Sequence, residues 1–160
     1  MTLDLAIRGG TLVTAADTTR TDIGIRDGKV VLIGHDLPDA TRDIDAHGKL
    51  ILPGGVDSHV HIEQDSPVTG AKSGTDFLAA TRSAACGGTT TLMPFVRQIK
   101  GQSLREAVNA YRKRPEGKAV IDYALHLIVA DPSPQVLGQE IPALIAEGYT
   151  SLKVYMTYEM

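Results

Sequence analysis

The chain has 160 residues, 42% of them hydrophobic and 22% charged, with a net charge of −3 and a single cysteine. This is a globular composition, long enough for one ordinary core. It excludes an intrachain disulfide, and its mild acidity argues against nucleic acid as a partner, which would call for a basic patch.

The opening residues MTLDLAIRGG have neither a basic n-region nor an apolar h-region, so no signal peptide is expected. No apolar run reaches the roughly 20 residues of a membrane span. A cytoplasmic protein without a membrane partner is the expectation. The first 50 residues read as β. LDLAIRGG and TLVT are short strand-like runs joined by Gly9-Gly10, and DIGIRDGKVVLIG is a hairpin turning at Asp27-Gly28. Asp-Gly supplies the positive φ angles of a type I′ turn. A further turn falls at His47-Gly48, before the apolar run LIL. These strands are too few for a stable sandwich and call for partners from a longer chain.

At Pro53-Gly54-Gly55 the pattern changes to alternating strands and helices. GVDSHVHI reads as a strand. GTDFLAATRSAAC reads as a helix with Ser73 or Thr75 as N-cap and Gly87 as its stop, and Cys86 within it reads as a buried small residue. TTTLMPF is the second strand. SLREAVNAYRKR is a helix opened by a Ser103–Glu106 capping box, with Leu104, Ala107, Val108 and Tyr111 as one buried stripe. Arg112-Lys113-Arg114 is its solvated C-terminal end. AVIDYALHLIVA is apolar enough for a strand buried on both faces. PQVLGQEIPALIAEG is helical, interrupted or restarted at Pro142 and stopped by Gly148, and TSLKVYMTY is the fourth strand. Repeated βα units imply a parallel sheet with helices outside, and both an open doubly wound sheet and a (β/α)8 barrel fit. No GxGxxG follows the first strand, which weakens the dinucleotide-binding version.

Two features carry chemistry. His59 and His61 lie at i and i+2 of the first strand of the βα series, so their imidazoles leave one face. They stand near the end where parallel barrels hold active sites. Imidazole suits zinc and similar divalent metals. Asp57 shares the face and could support a ligand. Lys153 interrupts the apolar fourth strand. One reading has its ammonium snorkelling to solvent at a strand end. The other has it withdrawn from water, where a lysine amine becomes nucleophilic and can capture carbon dioxide as a carbamate. His35, His47 and His126 read as structural, and Asp122, Asp131 and Glu63 are unassigned.

PGGVDSHVHI, GGTTTLMPF and GYTSLKVYMTY, at these separations, resemble the amidohydrolase superfamily, and within it the D-hydantoinase/dihydropyrimidinase family. The resemblance runs over essentially the whole chain. It implies an α/β fold: residues 1–52 as part of a small β-sandwich domain, and residues 53–160 as the first half of a TIM-type (β/α)8 barrel. It implies two divalent metal ions, with zinc the first choice. His59 and His61 would bind the more buried metal, and Lys153, as N6-carboxylysine, would bridge both. Tyr158 would contact the substrate and stabilise the developing oxyanion, and Tyr155 would lie near the pocket for the substrate's exocyclic group. The implied reaction is hydrolytic opening of hydantoins or dihydropyrimidines to N-carbamoyl amino acids by a hydroxide held between the metals. The small cyclic amide or ureide is the implied partner, and a homodimer or homotetramer the implied assembly of a full-length form. The remaining ligands and the proton-shuttling aspartate of that family come from later strands, so the resemblance implies a truncated chain, inactive alone. Two other readings stand beside it: an allantoinase or dihydroorotase type of cyclic amidohydrolase, against which Tyr158 argues, and a non-catalytic scaffold of the same fold, against which His59, His61 and Lys153 argue.

Overall fold

The computed structural model describes residues 2–64, 71 and 74–156. The chain divides into two compact units, Met1–Pro53 and Gly54–Met160.

The first unit is a five-stranded sheet of β1 (Leu3–Val13), β2 (Thr18–Arg26), β3 (Lys29–Gly34), β4 (Ala40–Asp45) and β5 (Leu50–Ile51). Its order is β3-β2-β1-β4, with β5 also against β1. β1–β2 and β2–β3 are antiparallel, while β4 and β5 run parallel to β1. The β2–β3 hairpin turns where expected, with positive φ at both Asp27 (51°) and Gly28 (70°). The two runs flanking Gly9-Gly10 form one strand instead of two. The register slips between Ile7 and Gly10, and the bulge lets β1 continue past the glycines. Asp22 Oδ1 accepts the Gly9 N–H at 2.7 Å, and the His47 ring occupies the space a Cβ on Gly9 would need. Strand β4 was not expected: Ala40–Asp45 is too polar to carry a buried-strand pattern, and it forms because β1 offers it a free edge. Val30, Ile33, Leu50 and Leu52 stay more than half exposed, as expected of a sheet too small to cover its own apolar residues.

The second unit begins with β6 (Gly55–Val60), α1 (Phe77–Cys86), β7 (Thr89–Arg97) and α2 (Leu104–Tyr111). It continues with β8 (Asp122–Tyr123), β9 (His126–Ile128), a π-helical turn over Val136–Glu140, α3 (Ile141–Ala146) and β10 (Leu152–Lys153). β6, β7, β9 and β10 are parallel neighbours in chain order, and β8 pairs with β7. Each strand joins the edge left by the one before it, without the reversal of order that marks the switch point of a doubly wound sheet. The third strand is broken into β8 and β9, and its first half, including Val120 and Tyr123, is exposed instead of buried on both faces.

The helices pack as their periodicity dictates. In α2, Leu104, Ala107, Val108 and Tyr111 are all buried against Leu92, Val96, Leu127 and Leu144. Each large apolar side chain so buried is worth roughly 1.5–3 kcal/mol. Ser103 caps α2, its Oγ accepting the Glu106 N–H at 3.2 Å. Helix α1 is capped by Asp76, whose carboxylate accepts the Ala79 N–H at 2.8 Å, so the cap passes to the residue after Thr75; Ser73 lies outside the described residues. Cys86 is exposed, not buried. The inner stripe of α1 is Phe77, Ala80, Thr81 and Ala84, and a residue nine positions past Phe77 comes out half a turn away. Pro142 lies inside a continuous helical run over 134–146, directly after the π-helical turn, whose wider ladder accompanies its missing N–H. No helix among the described residues is long and apolar enough to cross a membrane.

Candidate functional site

Side chains from β6, β7, β9 and β10 converge on the ring of Phe95, a β7 residue with only 4% of its surface exposed, His126 from the amino end of β9 and Lys153 from the carboxyl end of β10. His59 leaves β6, and His61 follows directly beyond its end. Their ring centroids lie 4.7 Å and 4.9 Å from that of Phe95 and 5.6 Å from each other. The i, i+2 spacing therefore brings both imidazoles to one side, although only His59 lies within the strand. Lys153, half-buried in β10, sets its Nζ over the same ring, 4.2 Å from the centroid, and 5.3 Å from that of Tyr155. As an ammonium it is held there by the negative face of each ring.

The donor set fits a divalent ion. Two imidazoles bound tetrahedrally at about 2.1 Å per nitrogen have centroids about 5 Å apart, and 5.6 Å is close to that spacing. His61 is also oriented for the task. Its Nδ1 lies 2.6 Å from Gln64 Oε1, which can only accept, so Nδ1 carries the proton and the Nε2 lone pair is the one presented to a metal. The Gln64 amide in turn donates to the Phe95 carbonyl. Among the described residues no three His, Cys, Asp or Glu side chains gather at one point, so the donors here are two imidazoles and a lysine.

Asp57 stands apart from the rings. Its Oδ1 accepts the backbone N–H of His59 at 3.0 Å and so braces the strand, not the imidazole. Tyr155 lies beside Lys153. Tyr158 falls outside the described residues. His126 is a satisfied histidine: it stacks on Phe95 at 4.9 Å, and both ring nitrogens have partners, the Ser151 hydroxyl and the Ser58 carbonyl. His35 and His47 are exposed, and His47 Nδ1 lies 2.5 Å from Asp45.

The turn that follows His61 is anchored from below. The buried Tyr111 hydroxyl donates to the Ile62 carbonyl at 2.5 Å, and the Arg114 guanidinium donates to the Glu63 carbonyl. Burial pushes the Tyr111 phenol above the usual tyrosine range. Glu63 adopts a left-handed φ of 49°, and its Oε1 accepts from the Phe77 N–H at 3.0 Å and from Lys118 Nζ at 3.1 Å. At the next strand end, Gln98 ties the loop after β7 to the loop after β9. Its amide donates to the Gln102 carbonyl, and its Oε1 accepts the N–H groups of Ala130 and Asp131. The buried carboxylate of Glu140 accepts from the Arg105 N–H at 3.0 Å, the Ser103 hydroxyl and the Gln135 amide. These bonds, with the Arg105 N–H foremost, hold it below the usual glutamate range. Gln64 and Phe95 do not stand out in the sequence, and Glu63, two residues past His61, is unassigned there. A glutamine three residues past a candidate ligand histidine is a usable signal; nothing local marks Phe95.

No protein-family model matches the chain. A D-hydantoinase of Ralstonia pickettii is 46% identical over 156 residues, which cover 98% of this chain and 34% of that protein. Among solved structures, a D-hydantoinase superposes with a TM-score of 0.91 at 46% identity, again over 98% of this chain and 34% of the other. A dihydropyrimidinase from Brevibacillus agri NCHU1002 superposes with a TM-score of 0.87 at 44% identity, over 96% of this chain and 33% of the other. The chain is thus similar to D-hydantoinases over nearly all of its length and spans about a third of the curated relatives it matches, the share expected of an N-terminal portion.

Proposed function

We propose, from this similarity and from the convergence of His59, His61 and Lys153 on Phe95, that these residues form the N-terminal part of a hydantoinase/dihydropyrimidinase-type metal centre. In this reading Met1–Pro53 contributes part of a β-sandwich domain, and the four parallel strands from β6 to β10 are the first half of a (β/α)8 barrel. The whole protein, in the cytoplasm, opens the cyclic amide of a hydantoin or dihydropyrimidine to an N-carbamoyl amino acid. When bound, two divalent cations, zinc first, supply Lewis-acid activation of water near neutral pH.

The residues of this chain have separable tasks. His59 and His61 donate ring nitrogens, and Gln64 fixes the His61 tautomer. Lys153 loses a proton, and its Nζ lone pair attacks the carbon of carbon dioxide. As the N–C bond forms, one C=O π bond opens onto oxygen and a second proton leaves the nitrogen for solvent, giving an anionic carbamate whose two oxygens can serve as metal ligands. The product is an anion beside an aromatic face that favours cations, so the carbamate needs a bound metal to persist. Tyr155 lies beside the amine, where an exocyclic group of the substrate would pass. Tyr158 donates a hydrogen bond to the carbonyl oxygen as charge develops there, which lowers the barrier more than it tightens binding.

The observation that carries the proposal is the shared ring beneath two imidazoles and a lysine from two strands. Zinc titration of the chain in bicarbonate buffer, with intact-mass measurement, tests it. Zinc binding with a mass gain of one carbon dioxide is expected. His59→Ala and His61→Ala are expected to abolish zinc binding, and Lys153→Ala the mass gain. Zinc binding that ignores all three substitutions would refute the assignment.

A further inference from the structure

We infer that His126 is a positioning residue that locks together the two strands supplying the metal-binding side chains; this rests on the metal centre proposed above. β6 carries His59 and β10 carries Lys153, and the two are not neighbours, because β7 and β9 lie between them. Backbone pairing alone transmits their relative position only through three successive ladders. His126, on β9, spans the gap directly. Its Nε2 lies 2.9 Å from the carbonyl oxygen of Ser58, the residue before His59. Its Nδ1 meets the hydroxyl of Ser151, two residues before Lys153. The ring rests on Phe95, its cross-strand partner in register, at 4.9 Å and an interplanar angle of 27°.

The hydrogen bonds define the ring's role. A carbonyl oxygen only accepts, so Nε2 carries a proton, and the Ser151 hydroxyl faces the remaining nitrogen and can donate to it. Both nitrogens are thereby committed to protein, unlike those of a ligand. The same ring that stacks with His126 carries His59, His61 and Lys153 on its other contacts. One imidazole therefore sets the spacing between β6 and β10 at the level of the metal-binding side chains. Partners hydrogen-bonded directly to ligands are worth about 10- to 100-fold in metal affinity when removed, and His126 acts on the same side chains through the strands at Ser58 and Ser151.

The test is zinc affinity, measured by competition with a chromophoric chelator in bicarbonate, together with the visible spectrum of the cobalt-loaded chain. His126→Leu removes both links. Ser151→Ala removes one with little disturbance of packing, which keeps the test open should the leucine variant fold poorly. His126→Gln restores a donor toward Ser58. A 10- to 100-fold loss of zinc affinity is expected for His126→Leu, a smaller loss for Ser151→Ala and recovery of most of it in His126→Gln. The cobalt spectrum is expected to keep its shape throughout. Unchanged affinity in both His126→Leu and Ser151→Ala, while His59→Ala abolishes binding, would overturn the positioning role and leave the metal centre standing. A cobalt spectrum that loses one imidazole in His126→Leu would make His126 a ligand and overturn it as well. Absence of zinc binding by the unsubstituted chain would overturn the metal centre itself, and this inference with it.

Discussion

Replacing Gln98 with leucine, similar in size but without polar atoms, should loosen the loop layer at the carboxyl ends of β7 and β9. Gln98 is fully buried, three residues beyond Phe95. Its Oε1 accepts from Ala130 N and Asp131 N, each at 3.0 Å, and its Nε2 donates to the Gln102 carbonyl at 2.7 Å. A fourth contact, to the Asp131 carbonyl at 3.4 Å, matters less because that oxygen also accepts from Ser133 N. Gln98→Leu thus leaves two N–H groups and one carbonyl without partners. At about 1–3 kcal/mol for each unsatisfied group, offset by the added apolar burial, the net loss is about 3 kcal/mol. At 2–4 °C per kcal/mol for a chain of this size, the midpoint falls by roughly 10 °C. Urea denaturation followed by circular dichroism measures the loss directly. Gln98→Glu should do less damage, since a carboxylate still accepts both N–H groups while facing the Gln102 carbonyl unfavourably. A Gln98→Leu variant within about 0.5 kcal/mol of the unsubstituted chain would refute the reasoning, because that is the scatter of neutral surface changes.

Four further outcomes follow, three from single contacts and one from burial. Gln64→Ala frees the His61 ring and should weaken zinc binding about 10-fold or more by chelator competition, with little change in melting midpoint. Glu140 is held below the usual glutamate range chiefly by the Arg105 N–H, so its contribution is present above the unfolded glutamate pKa and is lost as pH falls through the lowered folded value. Glu140→Gln should therefore flatten the acid side of the stability–pH curve, read from urea midpoints between pH 3 and 6 (approximate bounds around the glutamate range). Tyr111→Phe leaves the Ile62 carbonyl without its donor and should cost about 1–2 kcal/mol in urea. In the unsubstituted chain, ultraviolet titration should show the Tyr111 phenol still protonated at pH about 10, where free tyrosine is half ionised.

Much of the framework is visible in the sequence because its causes are local. Asp27-Gly28 specifies the hairpin through backbone sterics, and the α2 stripe of Leu104, Ala107, Val108 and Tyr111 through the 3.6-residue period. The failures are instructive in the same terms. Cys86 lies in an alanine-rich helix whose composition suggests burial on every side, and only the packing of Phe77 and Thr81 shows which side is inner. The β4 sequence offers no apolar alternation, and it is a strand because β1 supplies the partner. Glu63, unassigned from the sequence, is an anchor for the turn after His61 because Phe77 and Lys118 arrive from elsewhere in the chain.

By itself the sequence determined that His59 and His61 come to one side, that a lysine interrupts an apolar run, and that βα units repeat; each of these is a rule of spacing within a few residues. The tertiary structure decided which side chains meet. Phe95 becomes the floor shared by His59, His61, His126 and Lys153 because β6, β7, β9 and β10 lie side by side in chain order. His126 reaches Ser58 and Ser151, 68 and 25 residues away, because that order places their strands on either side of it. Periodicity fixes the face from which a residue points; only the order of the strands fixes what it points at.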